Sequence, residues 1–244
     1  MPNDATVSYD EEPDHMIIWL DVTIGELEQY KHLKKAFSST ADPKNETPVS
    51  LFDRDHAEIL QNEGLLPVTF EGIPCLLAAF KDIDECIKCF EQNHQKRIFF
   101  ITSGTLGEKA VPKILENFQD AFIDPETNEP YTSIYVYCHN IGYHMQWALE
   151  YRDYIQIFNH DADLLVRMIR DMASYFVMIS KRLIEEDPPN NSSAYHRLRW
   201  AHELYTRYSK MQTDSLREEF KELDLLIKGV EDDLKSSSSD EEDS

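Results

Sequence analysis

The sequence predicts an α/β fold: a five-stranded, mainly parallel, doubly wound sheet followed by an antiparallel helical extension. Two observations predict it. Short apolar runs alternate along the chain with segments of helical periodicity, and repeated strand–helix units favour parallel strands joined by right-handed crossovers. The runs are also almost continuously apolar, which is typical of strands with helices on both faces, because a half-exposed strand would alternate apolar and polar residues.

Five apolar runs account for the predicted strands: 16–20, 73–80, 98–101, 134–138 and 154–158. Helical patterns account for four predicted helices: 26–37, 83–92, 110–117 and 144–150. Residues 38–72 do not fit the repeat. There we expect an insertion between the first two strands, with a short helix near 56–63 and an edge hairpin.

The last third of the chain changes character. Apolar residues recur at intervals near 3.6 in three segments, 163–186, 194–211 and 215–230, which predicts three helices with short connections. Composition then divides the chain into four parts. They are a flexible acidic lead-in (1–14), an α/β domain (15–186), a helical hairpin extension (187–230) and a disordered acidic, Ser-rich tail (231–244).

The charge of the chain is strongly negative, with 24 Lys and Arg against 46 Asp and Glu and a net charge of −22. Such a field repels phosphate backbones and anionic lipids, so we expect neither nucleic acid nor a membrane as partner. Protein partners, basic ones in particular, are favoured.

Location is predicted from three features of the sequence. No run reaches the roughly 20 apolar residues of a membrane span, and the first residues lack the pattern of a signal peptide. Four Cys in 244 residues do not make a disulfide scaffold. We therefore expect a cytoplasmic protein, with the nucleus as the alternative.

Polar residues follow the predicted strands at their carboxyl ends, where ligands bind in open parallel sheets. One acid, two hydroxyls and two His at this edge would support acid–base or anion-binding chemistry. The same residue types also cap helices and shape turns, and this alternative stays open. The candidate residues are Asp21, Thr102, Ser103, Gly104, His139, Asn140 and His160.

Two further motifs invite a chemical interpretation. The turn 103–109 opens a helix whose free amides could hold an anion, although its glycine spacing is not that of a Walker loop. Cys86 and Cys89 form a C-x-x-C inside a predicted helix rather than at a helix start, which favours buried core cysteines over redox chemistry.

The histidines and the C-terminal serines suggest a metal site and a modification site. His139, His144 and His160 could gather around a metal, but no carboxylate or Cys accompanies them in register, so we expect no metal. Each of Ser237, Ser238 and Ser239 has an acid three residues later, the pattern favoured by acidophilic casein-kinase-type enzymes. These serines are candidates for phosphorylation; a solvated solubility tail is the compatible alternative.

Three stretches carry a resemblance to a known module: 16–21, 96–104 and 163–171. They resemble an N-terminal α/β module of some multidomain invertebrate proteins, where it precedes tetratricopeptide repeats or an arginine-type ADP-ribosyltransferase domain. The resemblance covers residues 15–210 and implies no activity for that module. The sequence after residue 190 is shorter than a transferase domain, so no NAD-dependent activity is implied. Residues 172–185 and 194–211 resemble one degenerate tetratricopeptide hairpin.

The layout also resembles the response-regulator receiver, a flavodoxin-like three-layer sandwich. A receiver that accepts a phosphoryl group needs an Asp after the third strand, where this chain has Thr102 and Ser103. The resemblance therefore implies the fold and not the phosphoacceptor chemistry. Toll-type domains share this topology, but the Glu of their NAD-cleaving members has no evident counterpart here.

Three hypotheses about function follow. The leading one is a non-catalytic signalling or scaffold module for protein interaction, with a degenerate receiver-like site and no cofactor. The alternative is an enzyme or sensor that binds a small anion or a nucleotide through Asp21, Ser103 and His139. In the third, the acidic termini bind basic proteins, and the binding is sensitive to salt.

Overall fold

A computed structural model describes residues 13–26, 29–39, 49–50, 65–212 and 215–241. The chain divides into two units, the first ending at Asp161 and the second beginning at Ala162. None of the helices in the described ranges combines the length and the apolar character that a membrane-crossing segment requires.

The described part of the first unit is built on one sheet. Its strands are β1 (His15–Leu20), β2 (Phe37–Ser39), β3 (Val49–Ser50), β4 (Leu66–Phe70), β5 (Ile73–Phe80), β6 (Arg97–Ser103), β7 (Ile134–Tyr137) and β8 (Ile155–Phe158). Among the described residues the strand order is β3-β2-β4-β5-β1-β6-β7-β8. The strands β5, β1, β6, β7 and β8 are mutually parallel. Numbered along the chain, these five have the order 2-1-3-4-5, which is common in doubly wound sheets.

The helices of the first unit are α1 (Lys31–Lys35), α2 (Ile83–Asn93), α3 (Gly104–Phe118) and α4 (Ile141–Glu150). A 3₁₀ helix (Gln119–Phe122) follows α3. Residues from α2, α3 and α4 share one buried apolar cluster with Met16, Ile18 and Leu20 of β1. Alternation along the strand puts Trp19 on the opposite face, where it packs against Tyr30, the residue before α1. Helical segments therefore lie on both faces of the sheet.

The strand count is a correction to the sequence-based prediction of five strands. The five predicted strands are the parallel ones, and three short antiparallel strands (β2, β3 and β4) extend the β5 edge. Glu71 and Gly72 connect β4 to β5 with φ of 50° and 84°, the positive angles that a two-residue hairpin turn of type I′ requires. β2 and β3, with three and two residues, are too short to produce an alternating pattern. The predicted helix near 56–63 lies outside the described residues.

The first predicted helix, 26–37, is also corrected, since α1 covers only Lys31–Lys35. Tyr30, immediately before it, has the left-handed angles φ 55° and ψ 40°, which a helix does not continue through. At the other end, Phe37 already pairs with Phe70 in the sheet.

The described part of the second unit contains the helices α5 (Asp161–Glu185), α6 (Asn191–Met211) and α7 (Arg217–Glu241). The unit begins at Ala162, the second residue of α5. α5 and α6 run antiparallel: the side chains of Ser174 and Tyr205 are hydrogen-bonded at 3.1 Å, and Ser180 donates to the Ala194 carbonyl at 3.3 Å. α7 packs on α6, where Tyr195 donates to a Glu231 carboxylate oxygen at 3.1 Å.

The chain divides into its two units at Asp161, and the domain boundary at residue 186 stays a prediction. Helical periodicity locates α5 but does not say which neighbours its apolar face contacts. The ring of Phe176 on α5 lies 5.3 Å from that of Trp200 on α6, and Lys181 on α5 forms a 2.6 Å ion pair with Glu222 on α7. These contacts group α5 with the helices that follow it.

α7 continues through most of the acidic tail, to Glu241, while disorder of residues 231–244 stays a prediction. Val230 is buried and anchors the helix where the tail begins. Beyond it, Lys235 lies 4.0 Å from Asp232 in an i,i+3 pair, and Ser236 donates to the Asp233 carbonyl. Such pairs favour a helix over a coil in an otherwise polar segment.

Candidate functional site

A cleft of about 460 Å³ opens at the carboxyl ends of β1, β6 and β7. In the sheet, β5 lies on one side of β1 and β6 lies on the other side. Of the parallel strands, the one that follows β1 in the chain is β5, and the next, β6, lies beyond β1. The cleft therefore lies where the strand order reverses. Ligands bind at this point in doubly wound sheets. The lining residues are Asp21, Val22, Thr23, Gln29, Tyr30, Ser103, Gly104, Thr105, Leu106, Tyr137, Cys138, His139, Asn140 and His144.

Asp21 provides a buried carboxylate directly after β1, and the residue is only 3% exposed. Its Oδ1 accepts hydrogen bonds from the backbone N–H of Thr23 at 2.6 Å and from the Thr23 hydroxyl at 2.7 Å. Its Oδ2 accepts a hydrogen bond from the Tyr30 hydroxyl. The Asp-x-Thr sequence thus folds into a local turn closed by the aspartate side chain, and three donors satisfy the carboxylate.

A buried cation accompanies this carboxylate. Lys34 is 3% exposed, and its ammonium group donates to the backbone carbonyl of Glu26. Burial lowers the pKa of Lys34, while the negative charges of Glu26 and Asp21 act in the opposite direction. Lys34 does not line the cleft, and its positive charge partly offsets that of Asp21.

Two tyrosines form an aromatic wall of the cleft. The Tyr30 ring lies 4.9 Å from the Trp19 ring in an edge-on arrangement and 4.7 Å from the Tyr137 ring. Burial, followed by the charge of Asp21, raises the pKa of Tyr30 well above its ordinary value. Burial, followed by the charges of Asp161 and Asp21, also raises the pKa of Tyr137. Both phenols therefore stay protonated at neutral pH and can donate hydrogen bonds.

The start of α3 forms the opposite side of the cleft. Ser103 is the capping residue, but its side chain makes no capping hydrogen bond, and the first turn contains no acidic residue. The first amides of a helix have no partner within the helix, and the helix dipole makes this end positive. Ser103, Gly104, Thr105 and Leu106 all line the cleft, so these amides belong to its surface.

The start of α4 reaches the same cleft. Asn140 accepts a hydrogen bond from the Tyr143 amide at 3.3 Å, and the first turn again contains no acid. The neighbouring His139 ring lies edge-on to Tyr137, 5.5 Å between centroids. Two positive helix ends therefore converge on one cleft, while its carboxylate is already satisfied.

His144 lies on α4, packs against the start of α3 and is 7% exposed. Its Nδ1 accepts a hydrogen bond from the indole N–H of Trp147 at 3.2 Å. A Cβ on Gly104 would lie only 2.5 Å from two atoms of the His144 ring, a distance that real side chains do not reach. The glycine is what allows this close approach of the ring to the start of α3.

The cleft gathers five of the seven sequence-predicted site residues: Asp21, Ser103, Gly104, His139 and Asn140. The other two lie outside it. Thr102 is fully buried, with its hydroxyl donating to the Ser103 carbonyl at 3.3 Å, and His160 is exposed.

Several cleft-lining residues were not among the predicted seven, including Thr23, Tyr30 and His144. The Asp-x-Thr spacing could have indicated Thr23, because this pattern often forms a side-chain-closed turn. No local signal indicates Tyr30, which reaches the cleft through its left-handed backbone. The sequence suggests His144 only as a metal ligand. In the described ranges no group of three or more His, Cys, Asp or Glu is placed to hold a metal.

The cysteines are free thiols in buried positions, as predicted for the C-x-x-C pair. Burial raises the pKa of Cys75 to about 12 and that of Cys89 to about 11. Burial likewise raises the pKa of Cys86 and of Cys138. None of these thiols has the lowered pKa of a reactive cysteine.

A second hollow, of about 670 Å³, lies on α7 and is bordered by Leu216, Phe220 and Leu225. Its lining comes from α7 and the residue just before it, so the hollow is a shallow surface on a single helix, although Arg217, Lys221, Asp224 and Lys228 also border it. The cleft in the sheet unit combines residues from several strand ends and helix starts, which is the usual construction of a ligand site.

Fold and cleft together define the class of this protein: an α/β protein with a polar, aromatic-walled cleft at the switch point of a doubly wound sheet. Comparison of the chain with protein-family models, with curated proteins and with solved structures gave no match.

Proposed function

We propose that the α/β unit is a receiver-like, non-catalytic module that binds a small anionic ligand, of the nucleotide or phosphorylated-metabolite class, in the switch-point cleft. The observation that carries the proposal is the convergence of the α3 and α4 starts, both without acids in their first turns. Two positive helix ends in one cleft favour an anion.

The electrostatics of the cleft support an anion despite the net charge of −22. Asp21 is the acid in the cleft lining. Thr23 and Tyr30 donate hydrogen bonds to its carboxylate, and the positive charge of Lys34 partly offsets its negative charge. The remaining polar lining consists of amides, hydroxyls and imidazoles, which donate to an anion. A ligand therefore meets donors rather than free carboxylates.

The side-chain geometry supports binding rather than covalent catalysis. Among the described residues, no hydroxyl or thiol that lines the cleft is hydrogen-bonded to a histidine. Nucleophilic catalysis uses such a contact to activate the attacking atom. The end of β6, where receivers carry the phosphoacceptor Asp, holds Thr102 and Ser103 here, so the resemblance to receivers extends to the strand order and not to that chemistry.

Thermal stability measured against nucleotides, NAD, phosphate and divalent metals tests this proposal. A ligand at 100 times its dissociation constant should stabilise the folded state by about 2.7 kcal/mol. His139→Ala should weaken binding, since His139 lines the cleft. His160→Ala is the matched control, because His160 is exposed at the same edge of the sheet and lies outside the lining. A flat panel, or equal effects of the two variants, would count against the proposal.

A second candidate function, protein binding, concerns the helical unit. Leu225 is 65% exposed on α7, and the basic residues Arg217, Lys221 and Lys228 lie beside it around the shallow hollow. Asp224 borders the same hollow, so its charged lining holds three basic residues and one acid. This excess of positive charge beside an exposed apolar residue favours a partner with an acidic surface over the basic partner predicted from the overall charge. Leu225→Glu should weaken co-elution with such a partner, whereas Asp232→Asn, farther along the same helix, should not.

A further inference from the structure

The starting observation is a nitrogen of His144 that faces the start of α3. The Trp147 indole N–H can only donate, so the 3.2 Å contact makes Nδ1 of His144 an acceptor. In the neutral ring the proton must then be on Nε2. No described residue accepts a hydrogen bond from this Nε2–H, although the residue is only 7% exposed.

The position of Nε2 is set by Gly104. Nε2 lies 2.5 Å from the point that a Cβ on Gly104 would occupy, so it stands beside the first residue of α3. Gly104, Thr105 and Leu106 line the cleft together with His144. An N–H donor from a buried ring and the partnerless amides of a helix start thus share one small space.

We propose that this space is an oxyanion subsite, in which a phosphate group accepts hydrogen bonds from the first amides of α3 and from Nε2–H of His144. The inference rests on the proposed function and names the part of the ligand that α3 holds. Three features of a phosphate fit the geometry: several acceptor oxygens, a compact tetrahedral shape and a negative charge at the positive end of the helix.

Trp147 acts here as a positioning residue. It does not line the cleft, but its hydrogen bond selects the His144 tautomer that presents a donor to the ligand. Replacement by Phe keeps an aromatic ring and removes the indole N–H, together with the end of the indole that lies 3.3 Å from the Gly107 Cβ position. The Nε2–H form is then no longer selected.

The test is a titration of the full, isotopically labelled chain with inorganic phosphate at constant ionic strength, followed by NMR. We expect saturable shifts of the Gly104, Thr105 and Leu106 amides and of the His144 ring nitrogens. His144→Phe should abolish the saturable shifts. Trp147→Phe should lower phosphate affinity several-fold and move the ring-nitrogen signals towards mixed tautomers, a change that a purely structural role of Trp147 would not produce.

The outcomes separate this inference from the proposed function. Addition of phosphate could change the chemical shifts of His139 and Asn140 and leave those of Gly104 and His144 unchanged. That result would overturn the proposed subsite and leave ligand binding in the cleft intact. Saturable binding that persists in His144→Phe would overturn it as well. If His144→Phe does not fold, Trp147→Phe decides, and unchanged affinity together with an unchanged tautomer rejects the role of His144. The ligand panel judges the proposed function separately.

Discussion

Tyr30 and Asp21 are joined by a buried hydrogen bond in which the phenolic hydroxyl donates to Oδ2 of the carboxylate. The bond connects the end of β1 with the start of α1, where Tyr30 has a left-handed φ of 55°. Such a backbone costs about 1–2 kcal/mol for a residue with a Cβ. A hydrogen bond to a charged acceptor contributes about 1.5–3 kcal/mol, which offsets that cost and holds the aromatic wall of the cleft in place.

Tyr30→Phe should therefore lower the free energy of unfolding by about 1.5–3 kcal/mol, measured by urea denaturation. The substitution keeps the ring contacts with Trp19 and Tyr137 and removes only the hydroxyl. Tyr143→Phe is the matched control, because Tyr143 is 75% exposed and its substitution also removes one phenolic hydroxyl. Equal, small effects of the two substitutions would show that the Tyr30–Asp21 bond does not stabilise the fold.

The parallel part of the sheet could be predicted from the sequence, and the reason is physical. A strand buried on both faces must be apolar along its whole length, as β1 is, with all six residues buried. That requirement leaves a pattern that the sequence displays directly. The carboxyl ends of such strands meet at one edge of the sheet. For this reason the sequence alone predicts that Asp21, Ser103 and His139 lie close together.

The antiparallel edge and the aromatic wall could not be predicted in this way. β3 has two residues, and its pairing with β2 depends on backbone hydrogen bonds rather than on a residue pattern. Tyr30 enters the cleft because of one unusual backbone angle. The boundary at Asp161 depends on which helices α5 contacts, and helical periodicity is the same for any neighbour.

Two glycines in helices should respond in opposite ways to replacement by Ala. Gly104→Ala places a Cβ 2.5 Å from the His144 ring, and such overpacking should destabilise the fold by about 1–3 kcal/mol. Gly229→Ala, on α7, meets nothing within 4 Å and should stabilise the helix by about 1 kcal/mol. Thermal or urea denaturation of both variants measures the difference. A neutral Gly104→Ala would mean that the His144 ring moves away without cost.

Asp161 should make stability depend on pH in the acid range. Its carboxylate accepts hydrogen bonds from the backbone N–H of His32 at 2.8 Å and from the His32 ring at 2.9 Å. Burial raises the pKa of Asp161, but the hydrogen bonds and the attraction to His32 outweigh burial, so the net pKa is lowered. The unfolded state then binds the proton more readily than the folded state. The stabilisation is complete above the unfolded pKa, near 3.9, and is lost as pH falls through the folded pKa.

Asp161→Asn should therefore lower the free energy of unfolding at pH 7 by about 1 kcal/mol and reduce the loss of stability on acidification. Asp163→Asn is the control, because Asp163 is exposed in the same first turn of α5. Urea denaturation at pH 7 and at intervals down to pH 3 follows both. If the two variants keep the same pH dependence as the parent chain, the His32–Asp161 contact does not carry the effect.

The four thiols should resist alkylation in the folded chain. All are buried, and burial raises each pKa, so little thiolate is present at neutral pH. Iodoacetamide followed by intact mass measurement should add few or no groups to the native protein and four after unfolding. Cys138 should react first, since it lines the cleft, and a bound ligand should slow it. Rapid native labelling of Cys86 or Cys89 would contradict the buried positions of the C-x-x-C pair.

Phosphorylation of Ser237, Ser238 and Ser239 should unwind the end of α7. These residues lie in the last turns of a helix that ends at Glu241, where the helix dipole is negative and acids already follow. Each phosphate adds a charge of about −1.5 to −2, so we expect about two turns of helix to be lost. An acidophilic kinase with ATP, followed by backbone chemical shifts of residues 230–241, measures the change. The Ser→Ala variant at all three positions, treated in the same way, should keep its helix. Increased helicity after phosphorylation would show that new contacts of the phosphates outweigh the repulsion.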